Sequence, residues 1–204
     1  RNPFRHVYTG VDKTVKRAVP LSAIKRMKNL DLSLQPNLEF ARDMFLFSFY
    51  TRGMSFIDMA HLKKKDLQNG FLSYRRRKTG QQLVIRWEKC MQEIVGKYPE
   101  DGLNPYLLPV LKYPFKDTHK HYRNVMSGIN RNLKEIARLA DISFPLSMYC
   151  ARHSWASAAK GKNIPISVIS EGMGHDSEAT TQIYLASLDN SVVDKANAQI
   201  LKSL

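Results

Sequence analysis

Late in the chain, Tyr149-Cys150-Ala151-Arg152-His153-Ser154-Trp155 is followed by Met173-Gly174-His175 and then by Tyr184. The first group belongs to a helical pattern running from Ser147 to Lys160. On a helix Tyr149 and Arg152, three apart, share one face. Gly174-His175 reads as a turn before a helix begun by Asp176 or Ser177, which sets the imidazole near a helix N-terminus. Tyr184 lies on that next helix, nine residues beyond His175. An arginine, a histidine and a tyrosine are thus spaced by helix and turn.

Upstream, Leu21 to about Leu30 suits a short helix, with Ser22 as its candidate cap. Pro36-Asn37 opens a longer one ending near Thr51, with Leu38, Ala41, Phe45 and Phe49 at helical spacing. Met44, Leu46, Phe47 and Tyr50 make its other faces apolar, which predicts a buried core helix. Gly53 supplies the stop, and Ser55-Phe56-Ile57-Asp58 has capping-box character for a helix through about Leu62. Between residues 66 and 87 the pattern changes. Asn69-Gly70 is a hairpin signal, Phe71 to Arg76 extends away from it, Thr79-Gly80 turns again, and Leu83 to Trp87 is β-rich. A small antiparallel sheet of two or three strands is expected there. Helical pattern returns from Glu88 to Lys97, His119 to Ala140, Ile166 to Met173, Ser177 to Leu185 and Asp189 to Leu201. The predicted fold is mainly α with a small antiparallel β-sheet; Trp87 and Trp155 read as core.

The 204 residues carry 32 Lys+Arg against 18 Asp+Glu, a formal charge of +14. A chain that is 43% hydrophobic and 25% charged can bury a core without disulfides or metals. Its basic excess is clustered. Nine Lys/Arg fall between His61 and Lys89 against Asp66 and Glu88, and six fall between Lys112 and Lys134 against Asp117. Such clusters fit a groove that tracks phosphates better than an evenly solvated face. The candidate DNA contacts are Lys63, Lys64, Arg75, Arg76, Arg77, Arg123 and Arg131. The longest strongly apolar stretch, Met44 to Tyr50, is far short of the roughly 20 residues that cross a bilayer. The opening residues have no apolar signal-peptide core, and Cys90 and Cys150 read as free thiols of a reducing, cytoplasmic compartment. No zinc spacing, Walker A loop or dinucleotide fingerprint is present, so no metal or nucleotide cofactor is expected.

These residues resemble the tyrosine recombinase (phage integrase) family. The family's second box reads His-x-x-Arg-His, then Leu-Gly-His, then a tyrosine nine residues on. Here the matching places read Tyr149-x-x-Arg152-His153, Met173-Gly174-His175 and Tyr184. Lys78-Thr79-Gly80 is similar to the Lys-Thr-Gly of the family's basic β-hairpin. The resemblance covers essentially the whole chain, as the family's catalytic domain. The wording from Tyr50 to Asp58 is similar to integrases of mobile elements in Bacteroides-type bacteria.

The resemblance implies phosphoryl transfer that needs neither metal nor ATP. Tyr184 would attack a DNA phosphodiester, leaving a 3′-phosphotyrosine bond and a free 5′-hydroxyl. Arg152 would grip two non-bridging oxygens, His175 would hydrogen-bond a third, and Lys78 would protonate the leaving oxygen; His153 reads as support for the arginine. The implied partners are double-stranded DNA, further copies in a homotetramer on that DNA, and accessory DNA-bending or directionality proteins. No membrane is implied.

Two departures stand out. The family's first box, Gly-x-Arg-x-x-Glu, reads Gly53-Met54-Ser55-Phe56-Ile57-Asp58, with serine in place of arginine. Ser55 has a second reading as a helix N-cap. Arg52, in the same turn, is the candidate replacement, or else a cation at a helix C-terminus. Tyr149 stands at the usual histidine, where it can donate a hydrogen bond but is the weaker base. Three other readings stay open: a non-catalytic helix-turn-helix module within residues 166–185, a topoisomerase-like nicking-closing enzyme, and an inactive integrase. The expected organisation is an arm or linker over residues 1–20, a catalytic domain over 21–188, and a helical segment over 189–204 that docks on a neighbour or folds back.

Overall fold

The computed structural model describes residues 18–99, 101–112, 118–175 and 197–203. In chain order come α1 (Leu21–Asn29), α2 (Pro36–Tyr50) and α3 (Phe56–His61). A single 3₁₀ turn at Lys64–Asp66 leads into β1 (Leu67–Gln68), β2 (Phe71–Arg75) and β3 (Gln82–Arg86). Then follow α4 (Lys89–Gly96), α5 (Thr118–Leu139), α6 (Tyr149–Gly161) and α7 (Ile166–Met173). Residues 197–201 are also helical, while the helix expected from Ser177 to Leu185, with Tyr184 on it, lies outside the described residues.

Helix α2 is the axis of the domain. Pro36 occupies its first turn, where a missing N–H costs nothing. Met44, Phe45, Leu46 and Phe47 are all buried, on every face of the helix, as its apolar sequence requires. Each such side chain contributes roughly 1.5–3 kcal/mol by leaving water. Helices α1, α4, α5 and α6 pack around it. Polar ties fix them: Tyr98 Oη donates to Asp43 at 2.8 Å, Arg26 Nε to the Ala140 carbonyl at 2.8 Å, and the Met148 N–H to Asn130 Oδ1 at 3.0 Å. Val19, just before α1, is itself core, and its N–H donates to the buried Ser154 hydroxyl at 2.7 Å.

The sheet is antiparallel in the order β1-β2-β3, with Leu72 opposite Ile85 and Tyr74 opposite Leu83. Those four side chains form its core face, the period-2 alternation of a half-buried sheet. Asn69 and Gly70 both take positive φ, 53° and 78°, as the two-residue hairpin turn demands. A second, small cluster of Ala156, Ala159, Ile169 and Met173 fastens α7 to α6, with Trp155 packed against it. Trp155 and Trp87 are partly rather than fully buried.

Two expected caps do not form. Pro20 takes the N-cap place of α1, so Ser22 falls inside the helix. Ser55 does occupy the N-cap place of α3, with extended backbone angles, but its side chain makes no cap hydrogen bond. The capping box fails because Asp58 is claimed elsewhere: its carboxylate accepts the N–H of Arg77, from the hairpin, at 3.1 Å.

Candidate active site

The end of α2 builds the first wall. Gly53 N–H returns to the Ser48 carbonyl at 2.8 Å, a Schellman closure. Arg52 and Gly53 both lie in the left-handed region, φ 63° and 71°. That conformation costs a non-glycine residue about 1–2 kcal/mol, so Arg52 is held there by its surroundings. Helix α6 passes so close that a Cβ on Gly53 would stand 2.7 Å from the Arg152 Cα. Only glycine fits.

That approach delivers Arg152. Its guanidinium is buried, with Nη1 donating to the Gly53 carbonyl at 2.9 Å and Nη2 to the Met173 carbonyl at 2.8 Å. The fork is therefore pinned between the end of α2 and the end of α7. A guanidinium has five N–H donors, so this anchoring is compatible with gripping an anion.

His175 follows directly. Gly174, at φ 67°, ends α7, and the His175 N–H closes on the Ser170 carbonyl at 3.1 Å. The Gly174 carbonyl receives two donors from the β2–β3 hairpin: Arg76 Nη1 at 2.9 Å and Thr79 Oγ1 at 3.0 Å. This latch sets the hairpin tip, with exposed Lys78 between those two residues, against the histidine turn. The four residues of the tip are closed by Arg76 N–H to the Gln81 carbonyl at 2.8 Å and Gly80 N–H to the Arg76 carbonyl at 2.7 Å.

The electrostatics agree with this clustering. Burial, then the charges of Arg152, Arg76 and Lys78, push the His175 pKa down to about 4. The imidazole is therefore neutral at pH 7. Burial raises the Asp58 pKa, while the Arg77 N–H and the charges of Arg76, Arg77 and Arg152 pull it back. Tyr74, whose hydroxyl burial pushes up to about 12, feels Asp58, Arg152, Arg76 and Arg52.

A pH prediction follows from His175. Its folded pKa is below its ordinary value near 6.5, so the unfolded chain binds more protons between those limits. The stability it contributes is full above pH 6.5 and is lost as pH falls through about 4, a loss of about 3 kcal/mol at most. Asp58, raised instead, works in the opposite sense at the acid end. His175→Gln should therefore flatten the fall of the urea midpoint between pH 6.5 and 4 relative to the unchanged protein. An equally steep fall in the variant would show that other groups govern it.

The remaining candidates sit apart. Arg52 turns outward, its Nη2 donating to the Val84 carbonyl at 3.1 Å, with its Cδ beside Gly172. Tyr149 is half exposed at the start of α6, its ring edge-on to His153 with centroids 4.9 Å apart. Lys63, Arg75, Arg77, Arg123 and Arg131 are exposed, while Lys64 bonds the Asp101 carbonyl at 2.8 Å. Asp58 and Thr79, which fall within the first-box and Lys-Thr-Gly matches without a role of their own, join this cluster through the Arg77 N–H and the Gly174 carbonyl. Among the described residues no three His, Cys, Asp or Glu side chains are grouped to hold a metal ion, and no helix is long and apolar enough to cross a membrane.

Residues 36–191 match the profile of the phage integrase family. The chain belongs to that family. As a phage integrase family member it is 25% identical over 180 residues to the tyrosine recombinase XerA of Pyrococcus furiosus, covering 85% of this chain and 58% of XerA. The chain thus spans a little over half the length of that relative. Two solved structures share the fold. A XerA recombinase crystal structure aligns with TM-score 0.65 at 21% identity, over 91% of this chain and 66% of that one. A XerH site-specific recombinase bound to a palindromic difH substrate, a post-cleavage complex, aligns with TM-score 0.67 at 15% identity, over 93% of this chain and 55% of that one.

Proposed function

We propose that this integrase-family chain is the catalytic domain of a site-specific recombinase that cuts and rejoins double-stranded DNA through a 3′-phosphotyrosine at Tyr184. The observation that carries the reading is the pinned Arg152 guanidinium, with neutral His175 and the Lys78 hairpin latched beside it. Three polar groups from distant stretches meet there, and the two cations among them, Arg152 and Lys78, suit the extra charge of a phosphorane-like transition state.

The balance of the step is as follows. The Tyr184 oxygen forms a bond to phosphorus as the bond to the 5′-oxygen breaks. The phenol, with an ordinary pKa near 10, gives up its proton, and the leaving oxygen takes one from Lys78. Arg152 holds non-bridging oxygens through its planar fork, and His175 contributes a hydrogen bond to a third. The tyrosine ester conserves the energy of the broken bond, so reversal onto another strand needs no ATP and no metal. Tyr149, where the family has histidine, leaves proton removal from Tyr184 to another group or to water. In this reading the protein acts in the cytoplasm as a DNA-bound homotetramer. Residues upstream of α1 lead from a DNA-clamping domain, and residues 189–204 dock on a neighbouring copy. Exposed Ile200 and Leu201 suit such docking.

The test is covalent trapping. The protein is incubated with supercoiled plasmid and with a random-sequence duplex library carrying single nicks, then denatured, digested and analysed by mass spectrometry. The expected product is a Tyr184 peptide bearing a 3′-linked nucleotide, and sequencing the trapped strands gives the cleavage site. Binding with no adduct, or an adduct on another residue, overturns the proposal. Plasmid relaxation with no joining of two duplexes would reassign the protein as a nicking-closing enzyme.

A further inference from the structure

We propose that Arg76, on the β2–β3 hairpin, supplies the second guanidinium of the phosphate cradle opposite Arg152. The inference rests on the phosphotyrosine reading and deepens it. Ser55 stands where the first-box arginine would be, and it has no charge to offer. With Lys78 committed to the leaving oxygen, Arg152 is the one guanidinium left for the non-bridging oxygens, and part of the transition-state charge is unanswered.

Two arginines are near enough to be considered. Arg52 is partly exposed, and its side chain bonds outward to the Val84 carbonyl. Its charge is felt at Tyr74 but is not among the influences on His175 or Asp58. Arg76 is 5% exposed, and its charge bears on the same three groups as that of Arg152: His175, Asp58 and Tyr74. Among the described residues its side chain makes a single hydrogen bond, to the Gly174 carbonyl, and its Nε is buried without a partner. A buried guanidinium with spare donors is costly unless an anion is to arrive. The charges of Arg76, Arg152 and Lys78 all bear on His175, and those of Arg76 and Arg152 also bear on Asp58. A DNA phosphate supplies the missing negative charge.

The alternative is that Arg76 serves only to latch the hairpin. Replacing the scissile phosphate, mapped by the trapping experiment, with a neutral methylphosphonate separates the two roles. That substrate lacks the charge a second guanidinium would neutralise, while a mechanical latch matters equally on both. On the phosphodiester, Arg76→Ala is expected to lose ~10²–10³ of the cleavage rate. On the methylphosphonate, the same variant is expected to fall less than about tenfold below the unchanged protein, since the group it lost had less charge to stabilise. Arg76→Lys, which keeps charge without the fork, should lie between and guards against misfolding of the alanine variant. Thr79→Val removes the other latch bond without touching charge and should lose the same modest factor on both substrates.

Equal losses for Arg76→Ala on the two substrates would overturn the assignment in favour of the latch. A substrate-selective loss in Arg52→Ala instead would move the role to Arg52. If the unchanged protein forms no adduct, the phosphotyrosine reading itself fails, and this assignment with it.

Discussion

For the proposed reaction, Arg152→Lys is expected to cut the rate of strand cleavage by ~10²–10³ while leaving DNA binding within a few-fold of the unchanged protein. The charge is kept, so the loss isolates the fork. Arg152 spends its two terminal nitrogens on the Gly53 and Met173 carbonyls, which fixes the plane in which its other donors point. A lysine ammonium cannot hold two such carbonyls and present a planar, bidentate face at once. Arg152→Ala is the less informative variant, because it also strands two carbonyls and removes a positive neighbour of Asp58. Single-turnover adduct formation on the nicked duplex, with a gel shift run in parallel, measures both quantities. Retention of more than about a tenth of the cleavage rate by the lysine variant would mean that charge, not geometry, is what this position supplies.

Gly53→Ala will be the most damaging glycine substitution among those the structure permits to be compared. Two costs add. A side chain at φ 71° is strained by about 1–2 kcal/mol, and the new Cβ meets backbone, the Arg152 Cα at 2.7 Å, so neither wall can yield by turning a rotamer. Overpacking of that kind costs about 1–3 kcal/mol, for a sum of roughly 2–5 kcal/mol. At about 2–4 °C per kcal/mol for a domain of this size, the melting temperature falls by roughly 4–20 °C. Any movement that relieves the clash pushes Arg152 away from the site, so cleavage falls as well. Gly70→Ala is the control: φ is 78°, but nothing lies within 4 Å of the added Cβ. It pays only the conformational part. If the two variants melt together, the close approach of α6 to the α2 turn is not what demands glycine.

Much of this molecule is legible from local pattern. Helix α2 carries apolar residues on all its faces, and its middle, from Ala41 to Ser48, is buried throughout. Asn69-Gly70 names its turn, and the alternation of Leu72, Tyr74, Leu83 and Ile85 sets the core face of the sheet. Arg152 and His175 stand out by spacing, and the fold brings both into one buried cluster. Local pattern misleads where a side chain has two available partners. Asp58 is three residues after Ser55, as a capping box requires, yet it bonds the Arg77 N–H, nineteen positions away, because buried cations gather on that side.

Sequence by itself determined the elements, the family and the chemical types on offer, because those depend on residues a few positions apart and on the free energy of burying each face. Tertiary structure alone decided which arginine enters the cluster. Arg52 is beside the first box in the chain but turns outward, and Arg76 reaches the Gly174 carbonyl across a separation of 98 residues. Such a contact follows from how the hairpin packs against the end of α7, and no spacing rule encodes it. The same holds for the Arg152 bond to Gly53, 99 residues distant, which exists because two backbones touch where one of them has no side chain.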